Sequence, residues 1–390
     1  MNLLTTFVAL LLLVPWVVYP TLRRKRVYSS SSEIKRLLKP ADASMADLLS
    51  QRAFPNQRLV HAFGITNTFV SSDLKVHHAF LNKARLIISE LSSKGESWRR
   101  FKQTTDGAIA QLLPAHETHY ATFIQCLTLR IILVALFKAD PESSDAEDLC
   151  FVTNMINKRW AYSKNKDLTL LNQDNSLEGA NACLERWICD RDTYPNPLNL
   201  IIPAYETMWR VVAVTVARVC CSGDDNLLDT VLAFADHPTE EQFQHFREES
   251  MEPSMKMIMM ESLRLHPPTK RISRARTTLG WKRFFAPTLE VADVQAVHQS
   301  LEYGGNPAKF DPARFHPSRG LEPEIFTFGY GKLSCPAASW APIGAALIVA
   351  KVLQQMKGGK YRLITGPRIG DRGGWEGWEV VNEESARNKA

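Results

Sequence analysis

The chain opens with an almost unbroken apolar run, "LLTTFVALLLLVPWVVY" from Leu3 to Tyr19, followed by the basic cluster Arg23–Arg26. Extended through Leu22, the run reaches roughly the 20 residues that a bilayer span needs. No Lys or Arg precedes it, and no small-residue cleavage site follows it, whereas a cleaved secretory signal carries its positive charge first. The order predicts a single-pass anchor over residues 1–26, with the basic cluster and everything after it on the cytosolic side. A cleaved signal sequence is the alternative. Residues 27–60 read as a linker and a shortened N-terminal region, with Ser29–Ser32 as its polar start. From about Val60 onward, apolar positions recur at helical spacing, most clearly over His77–Leu91 and Thr118–Phe137. "KADPESSDAED" (Lys138–Asp148) breaks the pattern as an exposed loop. Asn175–Asp190 resumes it until "DRDTYPNP". Strand-like alternation appears late, around Leu279–Val291 and Lys360–Val381. The pattern predicts a mainly α protein with a smaller β part, in one large domain over residues 61–390.

Composition narrows the class. With 45% hydrophobic and 23% charged residues among 390, the chain is ordinary globular material for one large domain or two smaller ones. The net charge of +6 draws partly on Arg23–Arg26, and no basic stripe is interleaved with aromatics, which speaks against a nucleic-acid partner. Seven cysteines, odd in number and without a C-x-x-C pair, indicate neither a disulfide framework nor a zinc knuckle.

One cysteine stands apart. Cys335 lies in "FGYGKLSCPA" (Phe328–Ala337), just before the apolar run "APIGAALIVAKVL". A phosphate-cradling loop fails on spacing. A P-loop needs a glycine five residues before Gly331-Lys332, where Phe326 stands, and G-x-G-x-x-G fails at Ser334. A thiolate remains: helix N-terminal N–H groups lower a thiol's pKa and strengthen sulfur as a metal ligand. Upstream, "MESLRLHPP" places Glu261 and Arg264 three apart on one helix face. "FDPARF" (Phe310–Phe315) follows. Earlier still, "LIIPAYETMWRVVAVTVARV" (Leu200–Val219) is a long apolar helix that carries Glu206 beside Thr207. A buried acid there needs a reason. Pro203 is expected to open the helix locally.

In order and spacing these features resemble the cytochrome P450 family of haem-thiolate monooxygenases. Phe328, Gly331 and Cys335 match its F-x-x-G-x-x-x-C-x-G loop, with Ala337 at the last glycine and Leu333 where many members carry a basic residue. Glu261 and Arg264 match its E-x-x-R, and Pro312, Arg314 and Phe315 its P-x-R-F-like motif. The Pro-Ala-x-Glu-Thr form at Pro203–Thr207 is similar to that of fungal monooxygenases of secondary metabolism. The resemblance implies haem b with its iron held by Cys335, and a buried structural triad of Glu261, Arg264 and Arg314. It also implies a propionate contact from Arg274, with Lys332 as a compensating cation for Leu333 and a second contact somewhere in "HHAFLNKAR" (His77–Arg85), at His78, Lys83 or Arg85. Glu206 and Thr207 would be the proton-handling catalytic pair. Further implications are electrons from an NADPH–cytochrome P450 reductase, an endoplasmic reticulum membrane, and an apolar small-molecule substrate to hydroxylate or epoxidise. A non-catalytic haem- or ligand-binding relic and a thiolate-haem isomerase or peroxygenase are the rival readings.

Overall fold

The structure, a computed structural model, describes residues 25–91, 93–165, 168–246, 251–276, 287–320 and 324–387; the expected anchor therefore lies outside the described residues, apart from Lys25 and Arg26. Those two residues begin the first strand. The elements run in this order: β1 (Lys25–Tyr28), α1 (Ser31–Leu38), α2 (Met45–Asn56), α3 (Arg58–Phe63), α4 (Leu74–Glu90), α5 (Gly95–Leu112), β2 (Glu117–His119) and α6 (Tyr120–Phe137). Then come α7 (Ala146–Tyr162), α8 (Thr169–Asn172), α9 (Ser176–Trp187), α10 (Leu198–Ser222), α11 (Asp225–Asp236), α12 (Glu240–Gln244) and α13 (Met255–Leu265). The chain closes with β3 (Arg271–Arg276), β4 (Thr288–Asp293), α14 (Val294–His298), α15 (Ala341–Lys357), β5 (Tyr361–Ile364), β6 (Glu379–Asn382) and α16 (Glu383–Arg387). The mainly helical expectation holds.

Ser29–Ser32, expected as linker, is instead structural. Ser30 occupies the N-cap position of α1 and donates its hydroxyl to Glu33 at 2.8 Å, and Ser31 and Ser32 form the first turn. The chain's start joins a small sheet: β1 pairs parallel with β4, and β3 pairs antiparallel on the other side. A second sheet, ordered β2-β6-β5, joins residues 117–119 to the C-terminal strands.

Helices α6, α10 and α15 form the centre and are buried on nearly every side. That is why their sequences are apolar all round rather than striped. Two of them, Tyr120–Phe137 and Leu198–Ser222, are long and apolar enough to cross a membrane, yet each is 83% buried inside the protein and reads as a core helix. Tyr120 ties the first to the second by donating from its hydroxyl to the Ala213 carbonyl at 2.7 Å. Helix α10 runs unbroken through Pro203. A neighbouring segment supplies a donor to the carbonyl that proline leaves without one. A smaller apolar cluster, including Ile34, Leu38, Ala292, Val297, Tyr303 and Phe326, fastens α1 and β4 to the segment leading into Cys335.

Candidate functional site

The cysteine loop is built from two 3-10 turns, Phe326–Phe328 and Gly331–Leu333. The Cys335 amide donates back to the Phe328 carbonyl at 2.8 Å, closing the loop. Gly331 has φ +72°, and a Cβ there would sit 2.9 Å from that of Lys39, so both conformation and packing against the end of α1 require glycine. Helix α15 begins only at Ala341, so its N-terminus does not bear on the thiol as expected. The Ala337 N–H faces the sulfur instead. Burial outweighs it and pushes the Cys335 thiol above its ordinary value, against the lowering expected from sequence. Cys335 also keeps an exposed surface.

Two buried guanidiniums lie near one another without an acid. Arg274 on β3 is 5% exposed and Arg52 on α2 is 7% exposed, and no ion pair to either occurs among the described residues. Burial pulls both to about 10, and for Arg52 the charge of Arg274 adds to the fall. Glu290 faces Arg274 directly across the ladder, yet its carboxylate goes to Arg276 at 3.1 Å and to the Tyr28 hydroxyl at 3.1 Å. Arg52 donates to the Thr68 carbonyl at 2.7 Å, and the Thr68 hydroxyl meets His77 Nδ1 at 2.8 Å. Three buried nitrogens of this group have no partner: Arg52 Nε, Arg274 Nε and His77 Nε2. Buried charges without a counter-ion are costly. The arrangement asks for an anion.

Sequence reasoning found Arg274 but missed Arg52 and His77. Arg52 sits in "LLSQRAF", where helical spacing reads as a solvated face, and His77 differs from its exposed neighbour His78 only by helix rotation. The other candidates point elsewhere. Lys332 is exposed, and its ammonium reaches toward the Ala43 carbonyl, 3.5 Å away, rather than toward Arg52 and Arg274. Lys83 bonds the Thr193 carbonyl and lies 4.2 Å from the Tyr194 ring centre, and Arg85 is exposed.

The triad is assembled. Arg264 grips both oxygens of Glu261, at 2.7 and 2.8 Å, with both side chains fully buried. Arg314 Nε lies 3.6 Å from Glu261 Oε1, an ion pair too long for a hydrogen bond. Backbone groups fill the remaining valences: Arg264 donates to the carbonyls of His298 (2.6 Å) and Pro307 (2.8 Å), and the Asp311 amide donates to Glu261 at 2.9 Å. Arg314 donates to the Gly305 carbonyl at 3.0 Å. Such a node staples α13 to the loop that precedes the cysteine segment.

Glu206 and Thr207 are not brought together. Thr207 shares the partly open face of α10 with Pro203, Ala204 and Met208, and its hydroxyl donates to the Pro203 carbonyl at 3.3 Å. Glu206, 2% exposed, points to the buried side, where Arg372 takes both its oxygens. Arg372 comes from the loop between β5 and β6 and carried no signal in the sequence.

A family model described as Cytochrome P450 matches residues 228–357, the stretch that holds Glu261, Arg264, Arg314, Phe328 and Cys335. A cytochrome P450DA mutant haem domain aligns over 88% of this chain and 86% of its own, with a TM-score of 0.58 at 13% identity. Over residues 228–357 the chain matches the cytochrome P450 family. A further cytochrome P450 crystal structure aligns over 92% of the chain with a TM-score of 0.53 at 14% identity, which speaks for the fold alone. Among curated proteins, norfluorocurarine oxidase of a Strychnos species is 33% identical over 26% of this chain and 21% of its own length. Cyclooctat-9-en-7-ol 5-monooxygenase of Streptomyces melanosporofaciens is 34% identical over 26% and 23%. Mouse thromboxane-A synthase is 31% identical over 34% and 25%. The chain thus spans about a fifth to a quarter of the length of these curated relatives in the matched regions.

Cytochromes P450 use haem with a cysteine thiolate on the iron. The residues present fit that group on two grounds: an exposed thiol on a hydrogen-bonded loop, and an acid-free pair of buried guanidiniums suited to its carboxylates. Among the described residues no cluster of three or more His, Cys, Asp or Glu offers a competing metal site.

Proposed function

We propose that this protein is a cytochrome P450, a haem-thiolate monooxygenase that hydroxylates or epoxidises an apolar small molecule, with Cys335 as the iron ligand. The observation that carries the reading is the set of buried, unpartnered nitrogens of Arg52, Arg274 and His77 in a chain that also presents an exposed thiol at Cys335. Haem, when bound, supplies activation of dioxygen, which thiolate ligation favours. The protein's part is positional. Arg52, Arg274 and His77 hold the carboxylate edge, and Phe328 and Gly331 shape the loop that presents the sulfur. The Glu261–Arg264–Arg314 node fixes the segment that leads into that loop. Thr207 Oγ1 holds a proton on the open face of α10, while Glu206, the acid expected to resupply it, is held by Arg372 on the buried side in the arrangement observed. Electrons come from NADPH through a membrane-bound reductase. The apolar N-terminal run anchors the chain to the endoplasmic reticulum with its catalytic domain cytosolic, and secondary-metabolite biosynthesis is the setting.

Reduced protein exposed to carbon monoxide should show the strongly red-shifted Soret band of thiolate ligation, and Cys335→Ala should abolish it; a variant that kept the band would refute the ligand. Positioned proton transfer contributes ~10²–10⁴-fold, so Thr207→Ala should lose product on that scale while NADPH oxidation continues and peroxide accumulates. An isomerase would turn over without NADPH, and a binding relic would not turn over in either form.

A further inference from the structure

A cavity of about 510 Å³ opens where the end of α10 meets the start of α11, walled also by residues 251–253 and 309–313. None of its lining residues belongs to the cysteine loop or to the Arg52, Arg274 and His77 group. Its size falls within the range of small-molecule sites. Leu227, Pro253 and the Phe310 ring supply apolar wall.

The charges in that wall divide by whether they are already engaged. Three acids line it, and each has work elsewhere in the fold. Asp224 accepts the Asn226 amide at 3.0 Å, Asp311 pairs with Arg319 at 2.8 Å, and Glu252 is engaged as well. The two cations are not paired. Arg218 is half-buried and directs Nε and Nη2 to one acceptor, His266 Nε2, at 2.9 and 2.6 Å. Burial and the Arg218 charge pull His266 down to about 3, so this partner is neutral and leaves the guanidinium charge uncompensated. Arg218 Nη1 and the Lys309 ammonium make no hydrogen bond or ion pair among the described residues. The Phe310 ring centre, 5.8 Å from the guanidinium carbon, steadies Arg218 beside the opening.

Each cation thus has a donor to offer to one anionic group. The acids remain negative and would repel a second charge on that group, so a monoanion suits the wall better than a phosphate dianion. We propose that this cavity binds a small organic carboxylate, its charge held between Arg218 and Lys309 and its apolar body against Leu227, Pro253 and Phe310. The inference goes beyond the haem reading and does not depend on it. Arg218 belongs to α10 and His266 directly follows α13, so the occupant rests on the joint between those two helices.

Calorimetric titration of the haem-loaded protein with naphthoate tests this. One saturable site should appear, and neutral naphthylmethanol should bind it roughly tenfold more weakly or worse, the scale of a charge-assisted hydrogen bond. Arg218→Gln and Lys309→Met should each weaken naphthoate binding by roughly the same factor. Location is read separately by mass mapping. Naphthoate should slow alkylation of Cys221, an exposed thiol in the cavity wall, and leave that of the exposed Cys189 unchanged. If Arg218→Gln fails to fold for want of its His266 contact, Lys309→Met decides, because that side chain is exposed. Wild-type affinity in Lys309→Met, no protection of Cys221, or no saturation at millimolar naphthoate overturns the site. Binding that shifts the Soret band and persists in Lys309→Met would put naphthoate at the haem and overturns it too, with the haem reading left standing.

Discussion

The side-chain amide of Asn67 donates to the Asn199 carbonyl at 2.6 Å. Asn199 is four residues before Pro203, so its carbonyl is the one whose helical donor proline removes. The segment between α3 and α4 thus completes a hydrogen bond that α10 cannot make for itself. Asn67→Ala should cost ~1–3 kcal/mol of stability, the range for an orphaned buried polar group. In a Pro203→Ala background the helix recovers its own donor and the cost should shrink. A double-mutant cycle from chemical denaturation reads the coupling; an additive result would remove this account of the unbroken helix.

Arg52 and Arg274 should act together on the cofactor. Replacing either with Met removes one charge-assisted contact, which is worth ~1.5–3 kcal/mol, so haem transfer to an apo-globin acceptor should speed up roughly tenfold or more. Lys332→Met should leave that rate unchanged, because its ammonium reaches toward Ala43. A faster loss from Lys332→Met than from Arg52→Met would reverse the assignment.

Acid should weaken the fold through two buried imidazoles. His298 Nε2 accepts the Phe326 amide at 3.0 Å, and His266 Nε2 accepts from Arg218 Nε at 2.9 Å. Burial, helped by nearby arginines, pulls both from the ordinary 6.5 to about 3. The unfolded chain takes up these protons first. The stability they contribute is therefore complete above about pH 6.5 and lost progressively toward pH 3. His298→Gln, which keeps an acceptor and does not titrate, should flatten part of that slope in melts recorded between those limits.

Truncation should separate anchor from fold. Deleting residues 1–24 should release the protein from membranes at unchanged melting temperature. Deleting through Tyr28 removes β1 and with it the parallel ladder to β4 and the Tyr28–Glu290 bond, so the melting temperature should drop. Equal melting temperatures for the two truncations would show that β1 contributes nothing.

Legibility followed the distance over which a signal acts. Cys335, Glu261, Arg264 and Arg314 were readable because short spacings mark them and because neighbouring backbone, at Asp311 and Phe328, completes their geometry. The central helices were readable because burial on all sides leaves them apolar. Arg52, His77 and Arg372 were not readable, since each acquires its meaning from a partner brought in by the fold; Arg372 meets Glu206 across 166 positions. β1 was hidden for the same reason. Its basic residues read in one dimension as the flank of an apolar run, with no sign that they also form an exposed edge strand.

The pairing of β1 with β4 also imposes a schedule on the chain as it is made. Lys25 finds its partner at Leu289, so at ~5–20 residues per second the first strand leaves the ribosome on the order of tens of seconds before anything can bond to it. During that interval its open edge is a target for other chains. A nascent chain held at the membrane by its leading segment spends the wait apart from its neighbours, and a version released into bulk solvent does not. Yield of the truncated protein should therefore depend on expression temperature and chaperone supply more than its final stability suggests.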